Sequence, residues 1–308
     1  MKKVVKKVTY AFFTMYLSLT AIFFVIRLAP GDPIELILGP NAKNEDIVKL
    51  ESQLGLDQPL HKQYFNYLKN LAKGDFGKSL IGAKEVKAEV SSRIGATLTL
   101  AVLAVSCASF IGIFLGLIAG NFKSSYGDTV VRIISLSFLS FPIFSLAPIL
   151  VLIFSIKLNL LPVSEWGELK HIFLPVVTLT IPLAAVITRV TRNKFLEENK
   201  AQWVVVLKSK GLSEIQILNR IFKVCLPTIL NIISIQLSVV IAGTMITETI
   251  YDIPGLGTLL FEAIGGRDYP VVQAVIIYST FCYMLIYFSV EYLNEKIDPR
   301  LISVDAND

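Results

Sequence analysis

The stretch "AKGDFGKS", Ala72 to Ser79, is where this 308-residue chain comes nearest to a known reactive motif. It matches a loosened G-x-x-x-x-G-K-[ST], with Ala72 for the first glycine, the pattern whose backbone N–H groups and lysine cradle phosphates. Phosphate cradling requires a strand before the loop and a helix after it, so that amides and a helix N-terminus converge on the anion. The preceding "HKQYFNYLKNLAK" instead sets Tyr64, Leu68 and Leu71 on one helical face, which argues against a nucleotide loop. Other reactive sets do not occur in the sequence: there is no H-E-x-x-H and no G-x-S-x-G, and His61 and His171 are the only histidines. Cys107, Cys225 and Cys282 stand far apart in or beside apolar runs, without zinc or disulfide spacing, and read as small buried hydrophobes. Catalysis therefore finds no constellation here, and neither does a side-chain metal cage. What stands out is mechanical: "KSKGLSEIQILNRIFKVCLP", Lys208 to Pro227, a basic, interrupted segment set between long apolar runs.

The elements around these stretches follow from composition. The chain is 54% hydrophobic and only 17% charged, against roughly a quarter charged in soluble domains. Its mean hydropathy is +0.64, and it reads as an all-α membrane protein. Six apolar stretches approach the ~20 residues a bilayer demands: Val8 to Leu28, Thr97 to Gly120, Ile133 to Ile156, Phe173 to Thr188, Leu226 to Thr247 and Val271 to Tyr292. The fourth is short and carries Pro175 and Pro182; the third carries Pro142 and Pro148 with Ser135, Ser137, Ser140 and Ser145, as an irregular interior helix would. The first follows Lys2, Lys3, Lys6 and Lys7 but has no A-x-A site, so it reads as an uncleaved spanning helix.

Lysine and arginine set the orientation. With the N-terminus in the cytoplasm, the inside holds the N-terminal lysines, Lys123, Arg132, the cluster from Arg189 to Lys223, Lys296 and Arg300. The short outside loops then hold only Lys157, Lys170 and Arg267, which satisfies the positive-inside rule. Both termini are expected in the cytoplasm, 29–94 as a small external domain, 95–292 as the helical core and 293–308 as a cytoplasmic tail. The formal charge of +5 is thereby explained by topology and does not call for nucleic acid.

The basic segment falls in the longest cytoplasmic loop, 189–225. "AQWVVVLKSK" predicts a short helix ended by Gly211, since glycine tolerates the left-handed conformation past a helix C-terminus. Ser213 offers an N-cap and Gln216, three residues on, completes a capping box. In the second helix Ile217, Leu218, Ile221 and Cys225 form an apolar stripe, while Asn219, Arg220 and Lys223 stay polar. Pro227 then falls near the start of the fifth span. The result is a helix–Gly–helix elbow; the plain alternative is a basic loop that only fixes topology.

Two polar patterns follow the elbow. Asn231, Ser234 and Ser238, with Gln236, Thr244, Thr247 and Glu248 on a neighbouring face, either line a pathway or make interhelical hydrogen bonds. The loop "TIYDIPGLGTLLFEAIGGRDYP" carries Pro254, Gly255, Gly257, Gly265, Gly266 and Pro270 as breaks around an amphipathic helix from Thr258 to Ala263. With Arg267 and Asp268 at its end, it reads either as a re-entrant gate and seat for a partner or as a tight connector.

Six segments in order carry a resemblance over nearly the whole chain: "RLAPGDP" (Arg27 to Pro33), "LGLDQPLHKQYFNYLKNLAKGDFGKSL" (Leu54 to Leu80), "LNLLPVSEWG" (Leu158 to Gly167), "SKGLSE" (Ser209 to Glu214), "YDIPGLGTLLFEAIGGRDYPVVQA" (Tyr251 to Ala274) and "DPRL" (Asp298 to Leu301). On these the chain resembles the B-type permease subunits of dipeptide, oligopeptide and nickel ABC importers. The resemblance implies the type I ABC importer permease fold with six transmembrane helices in a bacterial inner membrane. It implies half of a translocation pathway, completed by a second homologous permease, with two ATP-binding subunits and an external substrate-binding protein. The elbow then becomes the coupling loop, in which Trp203, Val206, Leu207, Lys208, Lys210, Gly211, Leu212, Ser213 and Glu214 meet an ATPase. ATP and Mg are used by those partner subunits, and no cofactor is expected on this chain. Where the family carries small and basic residues like T-A-R-A-K-G, this chain has Val206, Leu207, Lys208, Ser209 and Lys210. Peptides are the expected cargo; nickel or a metal chelate is the alternative within the family, and a membrane sensor or assembly factor the alternative outside it.

Overall fold

Helices account for nearly all regular structure, as expected where hydrocarbon leaves backbone N–H and C=O groups no partner but each other. The computed structural model describes residues 2–28, 33–39, 43–121 and 126–297. The side chains of the N-terminal lysines, Lys123, Arg300, part of "RLAPGDP" and the closing "DPRL" lie outside the described residues.

The helices are α1 (Lys2–Leu28), α2 (Pro33–Leu38), α3 (Asn44–Leu54), α4 (Leu60–Ala72), α5 (Val86–Asn121), α6 (Tyr126–Ser140) and α7 (Ile143–Leu150), the last running into a π-helical segment, Val151–Lys157. Then come α8 (Leu169–Asn199), α9 (Gln202–Ser209), α10 (Glu214–Gly243), α11 (Met245–Ile250), α12 (Leu256–Gly265) and α13 (Tyr269–Ile297). Among the described residues 5 helices are long and apolar enough to cross a membrane, or 6 if the bent pair Thr129–Ser140 and Ile143–Lys157 counts as one.

That pair is the expected irregular third helix, Ile133 to Ile156, broken in its middle. The two pieces meet at 99°. Pro142 is the reason: it lacks an N–H and its ring drives Phe141 away from helical dihedrals. Pro142 sits at ψ 139, and its carbonyl accepts from Ser145 and Leu146 to start α7. The fourth helix is longer than its apolar stretch, since α8 continues past Thr188 to Asn199 and so gives helical structure to the first part of the 189–225 loop. Buried Thr191 and Phe195 explain why the helix continues. The second helix likewise begins early, at Val86, inside the 29–94 segment. Nor does Pro227 open a separate fifth span: α10 runs unbroken from the elbow through Pro227 to Gly243. Buried Cys225 and Ile229 on either side of the proline continue one apolar stripe, and packing of that stripe outweighs one lost backbone bond.

The chain divides into two compact units, one of residues 1–97 and 254–284, the other of residues 98–253 and 285–308. The first has its core in Val86, Val90, Leu256, Leu259, Ala263 and the stripe Val271, Val272, Ala274 and Val275 of α13. A second contact there is aromatic: Phe23 of α1 sits 5.1 Å from the Tyr64 ring and 5.5 Å from the Tyr67 ring of α4, and Thr20 Oγ1 lies 2.7 Å from the Tyr64 hydroxyl.

In the second unit α8 is the central helix, with α6, α7, α10 and α11 packed on it. Its contact with α5 is made by Gly112, Gly116 and Gly120, one turn apart. A Cβ at Gly112 would lie 2.7 Å from Ile187 Cβ, and one at Gly116 would lie 2.7 Å from Thr191 Cβ. Such small-residue faces let two backbones approach closely in membranes, where no hydrophobic force between helices exists.

Candidate coupling elbow and the polar helix that follows it

The elbow is a pair of helices locked by local hydrogen bonds. α9 ends in a Schellman arrangement: Leu212 N donates to Leu207 O (3.3 Å) and Gly211 N to Lys208 O (3.0 Å). Gly211 holds φ +77 with no atom within 4 Å of where a Cβ would stand, so backbone conformation, not space, requires glycine. Two residues on, Gln216 N donates to Ser213 Oγ (3.4 Å) and Ser213 N to Gln216 Oε1 (3.0 Å), the reciprocal capping box expected from the sequence. Exposed Glu214 stands in the first turn of α10, where the helix dipole favours a carboxylate.

Under the elbow lies its own core. Val204, Ile217, Ile221, Cys225 and Ile229 bury together with Phe195 of α8, and Trp203, Leu207, Leu212 and Leu218 pack on them. Lys194 bridges Glu197 (3.1 Å) and Glu198 (2.8 Å), and Glu198 accepts from Trp203 Nε1 (3.2 Å), tying the end of α8 to α9. A force on α9 therefore reaches α8 through packed side chains and does not dissipate in a loose loop.

Individual residues divide by exposure. Val206 is 50% exposed, and Lys208, Lys210 and Ser213 are exposed. Leu207 is half-buried: with Leu212 it forms the apolar pair that accompanies a Schellman end. The family resemblance implied a docking role for it, but truncating it would also loosen the elbow. Between α9 and α10 runs an apolar groove of about 540 Å³, lined by Trp203, Val206, Leu207 and Val224, with Arg220 and Lys223 contributing the charge.

The polar helix resolves differently from residue to residue. Asn231 Oδ1 accepts from Asn294 Nδ2 of α13 at 2.6 Å, an interhelical bond. Ser234 and Ser238 donate to carbonyls of their own helix, Asn231 O (3.0 Å) and Ser234 O (2.8 Å). Gln236 is half-buried. Thr244 lies at the break between α10 and α11, where its hydroxyl donates to Glu248 Oε1 and Glu248 N donates to Thr244 O, both at 2.8 Å. Glu248 is fully buried. Just beyond it, buried Tyr251 places its hydroxyl 2.8 Å from Thr178 Oγ1 and 3.5 Å from Ala147 O, a node joining α8, α7 and the turn after α11. No sequence signal marked Tyr251 as a three-way tie, because its partners lie 73 and 104 residues away.

From Pro254 onward the loop belongs to the other unit. The expected Thr258 to Ala263 helix is α12, with Gly255 at its N-cap donating its N–H to Thr258 Oγ1 (3.1 Å) and its carbonyl accepting from the same hydroxyl (3.2 Å). Pro254 is exposed, Gly257 half-buried, and Arg267 adopts φ 54. Asp268 is buried and works as a clasp. One carboxylate oxygen accepts from the Ser79 hydroxyl and from Leu80 N (3.1 Å), the other from Val271 N (3.4 Å), so it caps α13 and fastens the 79–80 turn. The phosphate-loop pattern is thereby spoken for. Ser79 holds Asp268, Gly77 N donates to Asp75 Oδ1 (2.8 Å), and the preceding element is the helix α4.

Apolar helices packed on α8, with a stiff two-helix elbow leading directly into the polar helix α10, describe a helical membrane protein built around a mechanical elbow. Residues 112–303 match the family described as "Binding-protein-dependent transport system inner membrane component", and residues 1–101 match its N-terminal companion, "Binding-prot-dependent transport system membrane comp, N-term". The glutathione transport system permease protein GsiC of Escherichia coli (strain K12) is 32% identical over 289 residues, covering 94% of each chain, and its counterpart in Salmonella typhi is related to the same extent. A chain of the MetNI methionine ABC transporter in an inward-facing conformation has the same fold, with TM-score 0.58 at 18% identity over 68% of this chain and 96% of that one. The chain belongs to the binding-protein-dependent inner-membrane permease family. It is a multi-pass transport subunit, not a catalyst, and as a component of an ABC importer it works with ATPase subunits and a binding protein.

Proposed function

We propose that this permease forms half of the translocation pathway for short peptides, paired with a second homologous permease, with both termini and the elbow in the cytoplasm and residues 29–94 outside. The elbow supports this reading most directly. Its two capped helices rest on α8 and lead into α10 without a break, so displacement of α9 by an ATPase subunit turns a spanning helix. Exposed Val206 and the apolar groove beside it face the ATPase; Arg220 and Lys223 add charge at its edge. The external loop from Glu248 to Pro270 serves as gate and as part of the seat for the substrate-binding protein. Peptide cargo is supported by the relatives: the proteins 32% identical to this chain are named for glutathione, a tripeptide.

The test has two arms. Val206→Cys is paired with single cysteines on the partner ATPase, and disulfide crosslinking is followed with and without nucleotide. Nucleotide-dependent crosslinks are expected, and their absence across the ATPase surface would remove the elbow from coupling. Uptake of labelled glutathione and tri-alanine into proteoliposomes with the cognate binding protein decides the cargo; ATP-driven uptake of neither overturns the peptide assignment.

A further inference from the structure

The unit of residues 1–97 and 254–284 contains a cavity of about 480 Å³ whose polar lining neither the fold nor the coupling elbow uses. At its edge Arg27, near the end of α1, lays its guanidinium 3.6 Å over the Phe23 ring and 5.6 Å from the Tyr269 ring. Nε donates to Gln63 Oε1 (3.2 Å) and Nη1 to Phe23 O (3.0 Å). Gln63 is locked in that role, because its own amide donates to Leu56 O and Gln58 O. Among the described residues Arg27 forms no ion pair. A half-buried guanidinium with donors to spare and no carboxylate partner among the described residues is costly unless an anion arrives.

Two further donors in the same lining lack an acceptor. Gln273, 6% exposed, has its Nε2 buried without a partner, and the Tyr67 hydroxyl is buried without one. Both stand close to Arg27: Gln273 lies one helical turn beyond Tyr269, and the Tyr67 ring is 5.5 Å from Phe23. Burial pushes the Tyr67 phenol up to about 12, which keeps it a donor at neutral pH. The charged groups of the lining are Arg27, Lys78 and Asp75, an excess of one positive charge. Asp75 is engaged with Gly77 N. The clustered donors of Arg27, Gln273 and Tyr67, with one excess positive charge in the lining, suit a monoanionic, planar acceptor, which is a carboxylate; a phosphate dianion would leave a charge unbalanced. The volume falls in the range of roughly 300–1,000 Å³ typical of small-molecule sites, which favours a small ligand over a protein edge.

We propose that this pocket binds the carboxylate of a small ligand, with Arg27 as its charge partner and Gln273 and Tyr67 as orienting donors. That the carboxylate is the free C-terminus of a short peptide rests on the functional reading above; the carboxylate specificity does not. The full chain in detergent micelles is titrated calorimetrically with tri-alanine, its C-terminal amide, and acetate. The acid is expected to bind about tenfold tighter than the amide. Arg27→Gln is expected to abolish that preference, and Gln273→Leu to weaken the acid several-fold while leaving the amide unchanged. If Arg27→Gln fails to fold, Arg27→Lys keeps the charge, loses the planar fork and should reduce the preference. Binding of acetate with no gain from the peptide would support the carboxylate site and remove the peptide. Equal binding of acid and amide, or no binding by any of the three, overturns the proposal.

Discussion

Replacing Gly116 with alanine tests the close approach of α5 and α8. The added Cβ would stand 2.7 Å from Thr191 Cβ and 2.9 Å from Thr188 O, where ordinary carbon contacts lie at about 3.5–4.0 Å. Thr188 O is backbone and Thr191 Cβ is fixed to it, so no rotamer change relieves the clash; the helices must separate by nearly an ångström. Overpacking of this kind costs about 1–3 kcal/mol. Alanine also gains up to about 1 kcal/mol of helix propensity over glycine, which would mask part of the loss. Gly95→Ala cancels that term, because Gly95 lies in the same helix and a Cβ there meets nothing within 4 Å. The difference between the two variants is therefore the steric term alone, about 1–3 kcal/mol in favour of Gly95→Ala. Unfolding by SDS in mixed micelles, followed by circular dichroism, reads that difference. Equal stability of the two variants would refute the glycine contact as the determinant of α5–α8 packing.

Other outcomes follow from the same geometry. Ser213→Ala removes the cap of α10 and should lower stability by about 1 kcal/mol, while reducing ATPase stimulation in the assembled importer more than it reduces folding. Asp268→Ala leaves the Ser79 hydroxyl and two backbone amides without their acceptor and should cost about 2–4 kcal/mol in the same SDS titration, whereas Asp268→Asn, which keeps a carbonyl oxygen, should lose less. For Tyr67, the folded phenol is raised to about 12 from 10, so the unfolded chain loses its proton first as pH rises. Stability should therefore be unaffected by this group below pH 10 and should fall between 10 and 12. Tyr67→Phe should remove that fall, and difference absorbance at 295 nm against the variant should show the late-titrating phenol.

The elbow was legible in the sequence because its chemistry is local. A glycine past a helix end, a serine with a glutamine three residues on, and an apolar stripe of Ile217, Ile221 and Cys225 each specify backbone within one or two turns. Errors occurred where a local rule met long-range packing. Pro227 reads as a helix start, yet buried residues on both sides carry α10 through it; Pro142, with exposed Phe141 ahead of it, breaks its span outright. Thr188 reads as the end of an apolar run, but Thr191 and Phe195 continue inward against Gly116 and Gly120. Charge alone would have stopped that helix too soon.

By itself the sequence determined a multi-pass helical protein and where its two capped helices meet, since apolar run length, capping and glycine dihedrals act over neighbouring residues; that it is a permease followed from its resemblance to a known family. Only the tertiary structure decided what Asp268, Tyr251, Arg27 and the three glycines do. Each takes its meaning from atoms far along the chain: Asp268 from Ser79, Tyr251 from Thr178, Arg27 from Gln63 and Tyr269, Gly116 from Thr191. A buried carboxylate, phenol or guanidinium is defined by the partner it finds or lacks, and no spacing rule in one dimension reports which groups folding brings within 3 Å.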